Sequence, residues 1–424
     1  MNEEKTSAYA WYALALLMTV YTLNFLDRVL ILYLFTPIMA EFKFSYLQIA
    51  LLGTTSFAIF YTVLGIPFGR MADKGSRKNL IAAGLIVWSL FSGLTGFAND
   101  FWTLFFCRVM VGVGEATLGP AAISLLSDYF PASKRATATS IYSMGIAIGA
   151  GMAAFLGGYI GQEHGWRTAF YVLGFPGIVF AVLVFFLREP QRGATEAANV
   201  KYSGGDWKKL LTSRPLVFLY IGYALLGLAT NNLSIWGATY YGKVHGLDLK
   251  FIGFWGAVLT LGAGIPATLL GGVLADYFRR KSRGGRMFYG GLLALASVPC
   301  WLVFLFSDNV NVLLAANFLL LFTALAWLGA VAADVTEMAG ANLRGLGVAI
   351  YFFTVNIAAY IIGSNLIGYL NDRFGATENP SVMRYTLLVC PISCLFATVC
   401  LWLGSRRLSN AGQEPTTSPT LEVG

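Results

Sequence analysis

The 424-residue chain is poor in charged residues. Only 12% of its residues are Asp, Glu, Lys or Arg, whereas about a quarter are charged in an ordinary soluble domain. This shortage excludes a surface that faces water on all sides. The hydrophobic content of 57% and the mean hydropathy of +0.66 agree with that exclusion. We therefore predict an integral membrane protein.

Histidine and cysteine are scarce as well. The two histidines, His164 and His245, fall in predicted loops, so we interpret them as surface residues and not as proton carriers. The five cysteines lie inside apolar stretches, without the spacing of a metal site or a disulfide framework, and are interpreted as small buried hydrophobes. They are Cys107, Cys300, Cys390, Cys394 and Cys400. We expect neither a metal nor any other cofactor.

Enzyme motifs are also lacking. The stretch GATYYGKV (237–244) spells a phosphate loop, but Val244 stands in place of the hydroxyl that would bind magnesium, and no strand precedes it. The sequence contains neither a zinc-hydrolase helix nor a nucleophile elbow. The chain is therefore not expected to be an enzyme.

Long apolar stretches, by contrast, are abundant. Each is about 20 residues long, which is enough to cross a bilayer as a helix, and the alternating pattern of a membrane barrel is missing. The sequence predicts an all-α membrane protein with twelve spans. They are centred on 11–38, 47–69, 80–98, 101–127, 137–160, 168–187, 215–241, 251–275, 287–306, 311–333, 345–370 and 382–404.

The basic residues predict the orientation of these spans. The termini and the connections after even-numbered spans contain 21 of the 29 Lys and Arg residues, and the opposite connections contain six. This asymmetry predicts that both termini are cytoplasmic. The net charge of +8 is thus a topology signal, and no nucleic-acid partner is expected. Short connections favour the plasma membrane of a bacterium, its inner membrane.

The longest polar interruption divides the chain into two halves. We predict a six-helix bundle in 1–187, a cytoplasmic central loop in 188–214, a second six-helix bundle in 215–404 and a disordered cytoplasmic tail in 405–424. A repeat supports this division, because GRMAD (69–73) ends the second span and GVLAD (272–276) ends the eighth. Two related halves are typical of secondary transporters, which bind their substrate near the bilayer midplane.

Two motifs resemble the major facilitator superfamily. GRMADKGSRK (69–78) is similar to the superfamily's cytoplasmic loop motif, although Ser76 replaces its second glycine. Arg108 and Gly112 resemble its R-x-x-x-G motif in the fourth span. The resemblance implies a fold of two pseudo-symmetric six-helix bundles and a monomer.

Three further motifs resemble the spinster family within that superfamily. They are NFLDR (24–28), GVGEA (112–116) and REPQRG (188–193). This resemblance implies proton-linked transport of lysolipids or phosphorylated sphingoid lipids. The organic-anion:proton symporters, which carry small carboxylates or sugar acids, also use a D-R pair and an R…G…E span, and they are the alternative.

Four ionisable residues lie deep inside predicted spans: Asp27, Arg28, Arg108 and Glu115. Each would cost roughly 2.5–3.5 kcal/mol if unpaired at mid-bilayer, so we expect two acids and two bases to compensate each other between the first and fourth spans. Asp27 or Glu115 is the predicted proton carrier, and Arg28 or Arg108 the predicted partner of an anionic head group. The alternative is a static ion network that only fixes helix registry.

The second half has neutral polar residues in the middle of its spans. Together with Arg28 and Arg108, the predicted substrate-binding residues or charge partners are Asn24, Asn231, Asn232, Tyr351 and Asn356. The alternative for each asparagine is a hydrogen bond that only joins neighbouring helices.

A cytoplasmic gate is predicted from acids and arginines that recur in both halves. They are Asp73, Arg77 and Asp128 in the first half, and Asp276, Arg279 (or Arg280) and Asp334 in the second. Charge-assisted bonds among them are expected to hold the halves closed at the cytoplasmic face and to break on inward opening.

These features together predict a proton-coupled secondary active transporter that works by alternating access. Its expected partners are the lipid bilayer, protons and an amphiphilic or anionic small molecule, and the proton gradient is its energy source. A lipid-modifying enzyme would require a nucleophile beside a base, and a receptor would normally carry a soluble signalling domain. The sequence offers neither.

Overall fold

A computed structural model of the chain describes residues 7–191, 208–339 and 343–410, and these residues form helices and no strand. We number the long helices α1 to α12. They are α1 (Ala8–Tyr33), α2 (Tyr46–Lys74), α3 (Arg77–Thr95), α4 (Phe101–Tyr129), α5 (132–164), α6 (166–185), α7 (Arg214–His245), α8 (Leu249–Lys281), α9 (Gly285–Phe306), α10 (Val310–Ala339), α11 (Leu346–Arg373) and α12 (Pro380–Asn410). Short helices follow α1 (Phe35–Phe42) and precede α7 (Lys208–Thr212).

The described chain contains eleven segments that are long and apolar enough to cross a membrane. One of them, Thr137–Phe185, has 49 residues. As a straight helix it would measure about 70 Å, more than twice the bilayer's hydrocarbon thickness. Gly165 breaks this segment into α5 and α6 with φ 82° and ψ 159°, a conformation that favours glycine. The segment therefore crosses twice, which gives a multi-pass membrane protein with the predicted twelve spans.

Polar side chains cap several helices at their first turn. Ser45 and Gln48 form a capping box at the start of α2, and the Asp100 carboxylate accepts hydrogen bonds from the first backbone N–H groups of α4. Asp248 caps α8 in the same way. These caps satisfy backbone donors that have no partner within the helix. They account for helix starts that hydropathy alone places only approximately.

Helices α1–α6 form one half and α7–α12 the other, and the halves meet mainly where α5 packs on α8 and α2 on α11. We call the end of the bundle that contains Ser7 and Asn410 the terminus end, and the opposite end the far end. Close packing at the α5–α8 contact depends on glycine, because a Cβ atom on Gly253 would lie only 2.4 Å from the Ala154 carbonyl oxygen.

The two halves are joined toward the far end. The Asp372 carboxylate at the end of α11 accepts hydrogen bonds from the backbone nitrogens of Tyr46 (2.7 Å) and Leu47 (2.9 Å) at the start of α2. Lys250 of α8 forms an ion pair with Glu163 of α5. The described hydrogen bonds and ion pairs between the halves lie at the far end and at the contact between α2 and α11. The described helices are thus arranged as a bundle closed at the far end.

Candidate functional site

Arg28 of α1 and Glu115 of α4 form an ion pair inside the first half. Arg28 Nε and Nη2 donate hydrogen bonds to Glu115 Oε2 at 3.1 and 2.8 Å. The Glu115 side chain is fully buried, whereas 20% of the Arg28 side chain is exposed. Such a two-donor, charge-assisted contact fixes the orientation of both groups. Arg28 is therefore the member of this pair that a ligand can reach.

Three aromatic rings enclose the Arg28 guanidinium. Its central carbon lies 4.8 Å from the ring centroid of Phe25, and 4.6 Å from those of Phe57 and Tyr61. Contacts of this kind stabilise a cation by about 0.5–2 kcal/mol each, with the upper value for a desolvated site. The rings can therefore hold Arg28 in place even when its carboxylate partner loses its charge. These rings carry no distinguishing sequence signal, because 15% of all residues are aromatic.

Asp27 faces a different neighbour from Arg28. Its carboxylate accepts a hydrogen bond from the Ser92 hydroxyl of α3 at 2.6 Å, and the Asp27 side chain is buried. Arg108 Nη1 lies 3.4 Å from the Asp27 backbone oxygen. Ser92 was not predicted, since a serine in an apolar span carries no distinguishing sequence signal.

Several polar atoms around the ion pair are buried without a hydrogen-bond partner among the described residues. They are Arg108 Nε and Nη2, Glu115 Oε1 and Asn24 Nδ2. Because buried polar groups are nearly always satisfied, such atoms require an explanation, for example a proton or a bound group in another state of the molecule. The four predicted charged residues and Asn24 thus share one region between α1, α3 and α4, where Glu115 is paired with Arg28 and not with Arg108.

The second half approaches this region through Tyr360 and Asn231. The Tyr360 hydroxyl donates to Asn231 Oδ1 at 3.0 Å, and Tyr360 lies near Arg28 across the boundary between the halves. Both residues are only partly buried. Asn231 was predicted from the sequence, whereas Tyr360 was not.

The other predicted residues of the second half are placed differently. Asn232 is fully buried and joins helices, since its Nδ2 donates to the carbonyls of Leu228 (2.8 Å) and Ala359 (3.3 Å). Tyr351 is buried beside Trp327, with ring centroids 6.4 Å apart. Asn356 is partly exposed on α11, and its side chain forms no hydrogen bond with another described residue. Of these three, Asn232 matches the alternative reading of a residue that only joins helices.

A second ionic cluster lies at the terminus end of the first half. The buried Arg77 guanidinium forms an ion pair with Asp128 and donates to Glu189 Oε1 at 2.8 Å. It also donates to the Ser124 carbonyl (3.1 Å) and the Pro190 carbonyl (3.0 Å). Arg77 and Asp128 meet as the sequence predicted, and Glu189 was missed. Asp73 lies exposed at the end of α2.

Glu189 also caps the start of α3. Its carboxylate accepts from the Ser76 hydroxyl at 2.9 Å and from the backbone nitrogens of Arg77 (3.2 Å) and Lys78 (3.1 Å). Burial alone would raise the pKa of Glu189, but these hydrogen bonds and the Arg77 guanidinium lower it below the ordinary value. Glu189 is therefore charged at neutral pH and fixes the loop before α3.

The equivalent cluster of the second half corrects one prediction. Arg286, and not Arg279, connects the predicted acids, since it reaches Asp276 at 3.0 Å and Asp334 at 3.4 Å. Arg279 forms an ion pair with Glu337. The reason is that α8 continues to Lys281, so the arginine at the start of α9 takes the place that Arg77 has at the start of α3.

Both clusters join helices of the same half. Arg77 joins α3 to α4 and to Glu189 after α6, and Arg286 joins α9 to α8 and α10. Both are intact in a bundle that is joined at its far end. Neither cluster, through its described contacts, connects the two halves.

Twelve spanning helices in two halves, with buried ionic groups near their boundary, define a membrane carrier of the two-bundle class. The chain belongs to the Major Facilitator Superfamily, whose sequence profile matches residues 17–359. It is accordingly a transporter and not an enzyme.

Its relatives have several recorded functions. The chain is 27% identical to an "MFS-type efflux pump" of Mycolicibacterium smegmatis, over 94% of this chain and 93% of that protein. It is 26% identical to "Protein spinster homolog 3" of Danio rerio, over 90% and 82%. It is 25% identical to the "Probable galactarate/D-glucarate transporter GudP" of Bacillus subtilis, over 92% and 93%.

A solved structure supports the fold. A bacterial homolog of the human lysosomal transporter Spinster, crystallised in an inward-facing and unoccupied conformation, superimposes with a TM-score of 0.80. The alignment covers 96% of this chain and 97% of that one at 24% identity. The predicted fold of two six-helix bundles is confirmed, and so is the resemblance to the spinster family.

Proposed function

We propose that the protein is a proton-coupled secondary active transporter that works by alternating access. Its substrate is an amphiphile with one net negative charge on its head group, such as an anionic lysolipid or a sphingoid phosphate. The observation that carries this proposal is the partly exposed Arg28, paired with the fully buried Glu115. The predicted orientation places the terminus end in the cytoplasm, so a bundle joined at the far end is open toward the cytoplasm. The proposed location is the plasma membrane of a bacterium.

Charge complementarity supports a head group with a single net charge. Among the deep ionisable residues, Asp27, Arg108 and Glu115 expose at most 1% of their surface, which leaves Arg28 as the accessible cation. The groups facing it from the second half, Asn231 and Tyr360, are neutral. A sugar diacid would have two carboxylates for one accessible cation, and leaving the second unpaired in a desolvated site costs several kcal/mol.

The surroundings of Arg28 support an amphiphilic substrate. The rings of Phe25, Phe57 and Tyr61 lie against the guanidinium, and Tyr21 stacks on Tyr142 at a centroid distance of 4.3 Å nearby. These side chains offer apolar area for a hydrocarbon chain next to the one cation that attracts its head group.

Proton coupling follows from the shared use of Arg28. Protonation of Glu115 removes the charge that holds the guanidinium, and Arg28 then becomes available to an anionic head group. The unpartnered Glu115 Oε1 provides a position for that proton. Deprotonation restores the ion pair and displaces the head group. Asp27, whose carboxylate is held by Ser92, is the second candidate for the proton.

The experiment that tests this function is uptake into proteoliposomes with and without an imposed pH gradient. A fluorescent lysolipid is compared with radiolabelled glucarate, for wild type and for Arg28→Gln. We expect lysolipid transport that depends on the gradient and is lost in Arg28→Gln. Arg406→Gln is the matched control, because Arg406 is exposed at the terminus end. Gradient-driven transport of glucarate alone would contradict the proposal and favour the organic-anion symporters.

A further inference from the structure

Two helices of the boundary between the halves contain π-helical turns. Residues Leu51–Thr55 of α2 and Ile357–Gly363 of α11 are π-helical within otherwise α-helical spans. Such turns are rare and occur frequently at functional sites. We call them the α2 π-turn and the α11 π-turn. They belong to opposite halves and contact each other directly.

Backbone groups that the π-turns release are used between the halves. The Ser364 N–H bonds to the Ala359 carbonyl, five residues back, and so does not occupy the Tyr360 carbonyl. The Tyr360 oxygen instead lies 2.9 Å from the Thr54 hydroxyl and 3.3 Å from the Thr55 hydroxyl. The irregular turn of one half therefore provides an acceptor for the irregular turn of the other.

Two further hydrogen bonds belong to this contact. Asn365 Nδ2 donates to the Thr55 hydroxyl oxygen at 2.7 Å. The Thr54 hydroxyl also lies 2.8 Å from the Ala50 carbonyl of its own helix, so its proton is shared between two acceptors. Thr54 and Thr55 are at most 8% exposed. Breaking the contact in this buried setting therefore leaves polar groups unsatisfied.

On one side the π-turns contact the ion site. Phe57, two residues after the α2 π-turn, packs 4.6 Å from Arg28. Tyr360, within the α11 π-turn, donates a hydrogen bond to Asn231 and lies near Arg28. A change in the Arg28–Glu115 pair therefore alters the surroundings of Phe57 and Tyr360, which directly follow or belong to the π-turns.

On the other side the same two helices close the far end. The Tyr46 and Leu47 nitrogens at the start of α2 donate to Asp372 at the end of α11. The backbones are in close contact here, because a Cβ on Gly368 would lie 2.8 Å from the Tyr46 carbonyl oxygen. A carboxylate at a helix N-terminus is stabilised by the exposed N–H groups and the helix dipole.

We propose that Thr54, Thr55 and Tyr360 are positioning residues for transport, and that their contact transmits the state of the Arg28–Glu115 pair to the far-end closure. When the ion pair is broken, Phe57 and Tyr360 shift, the two π-turns lose their shared hydrogen bonds, and α2 separates from α11 at Asp372. The inference rests on the proposed function for its direction of change. It does not depend on the identity of the substrate.

The test is a double-mutant cycle read by a distance at the far end. Spin labels are placed at Asn99→Cys and Glu378→Cys, both exposed far-end positions of opposite halves, in a cysteine-free background. Glu115→Gln, which mimics the protonated acid, is combined with Thr54→Val and Thr55→Val, and pulsed electron paramagnetic resonance measures the distances. We expect Glu115→Gln to increase the far-end open population at least threefold with the threonines present, and less than 1.5-fold with the valines.

Matched variants separate transmission from folding. Thr54→Ser with Thr55→Ser keeps both hydroxyls and should restore the response. Thr95→Val removes a buried hydroxyl that donates to the Phe91 carbonyl of its own helix and should behave as wild type. If the valine pair does not fold, Asn365→Leu removes the other side of the same contact. An equal response in the valine background, or no response to Glu115→Gln with the threonines present, would overturn the inference.

A transport measurement distinguishes this inference from the proposed function. With a fluorescent lysolipid, the valine pair should keep KM within threefold of wild type and lower the maximal rate at least tenfold. A wild-type maximal rate in the valine pair would overturn the inference. If the wild-type protein moves no lysolipid, the proposed substrate is wrong, whereas the distance measurement still decides the inference.

Discussion

Replacement of Arg77 by alanine should destabilise the first half more than any other change at its terminus end. The Arg77 side chain is 1% exposed, and its two carboxylate partners, Asp128 and Glu189, are 8% and 28% exposed. The alanine variant removes the Arg77 guanidinium from both acids and removes donors from the Ser124 and Pro190 carbonyls.

The magnitude follows from this geometry. Removing one member of a buried ion pair costs about 3–5 kcal/mol, and the partial exposure of Glu189 lets water replace some of the lost interaction, so we expect about 3 kcal/mol. Arg77→Lys keeps the charge but cannot reach both acids and both carbonyls, so we expect roughly half that loss. Arg70→Ala, an exposed change nearby, should cost less than about 0.5 kcal/mol.

The assay is reversible unfolding of the purified protein in mixed detergent micelles, followed by tryptophan fluorescence. Arg77→Ala should lower the free energy of unfolding most, Arg77→Lys less, and Arg70→Ala hardly at all. Equal stability of Arg77→Ala and wild type would refute the reasoning that this cluster holds α3 and α4 to the central loop.

Three further predictions concern the other contacts. The pKa of Glu189 is lowered in the folded state, so its stabilising contribution is present above its ordinary pKa of about 4.3 and is lost as pH falls through the lowered value. The free energies of unfolding of wild type and Glu189→Gln, measured between pH 7 and pH 3, should therefore converge at the acid end. Parallel curves would contradict this. Arg286→Gln should destabilise the protein by about 2 kcal/mol because Arg286 forms ion pairs with several acids. Arg279→Gln should cost less than about 1 kcal/mol because the Arg279–Glu337 pair is more exposed. The reverse order of stability in thermal unfolding would refute the assignment. Gly253→Ala places a methyl group against the Ala154 carbonyl and should therefore lengthen the distances between spin labels at the far end. An unchanged distance distribution would show that the α5–α8 contact is not close in solution.

The spans were predictable because the hydropathy of each segment decides whether it can cross the bilayer as a helix. The break at Gly165 is an example, since an apolar segment too long for one crossing must turn somewhere, and Gly165 has the positive φ that the turn requires. The π-turns at Leu51–Thr55 and Ile357–Gly363 were not predictable. They arise from contacts between the halves, which no local sequence pattern reports.

The ionic groups were predictable as a set but not as pairs. The cost of burying charge indicated that Asp27, Arg28, Arg108 and Glu115 must compensate one another. Which of them pair depends on the rotation and tilt of α1 and α4, and so Glu115 bonds to Arg28. Arg286 was missed for a similar reason, because the length of α8 decides which arginine faces the acids.

The central claim is that Glu115 loses its ion pair with Arg28 when it takes up a proton. The most direct test is transport by Glu115→Gln in proteoliposomes, measured both as accumulation driven by a pH gradient and as exchange of labelled for unlabelled lysolipid without a gradient. The account predicts that accumulation falls at least tenfold while exchange continues at a rate near that of wild type. Gradient-driven accumulation at the wild-type level in Glu115→Gln would contradict it.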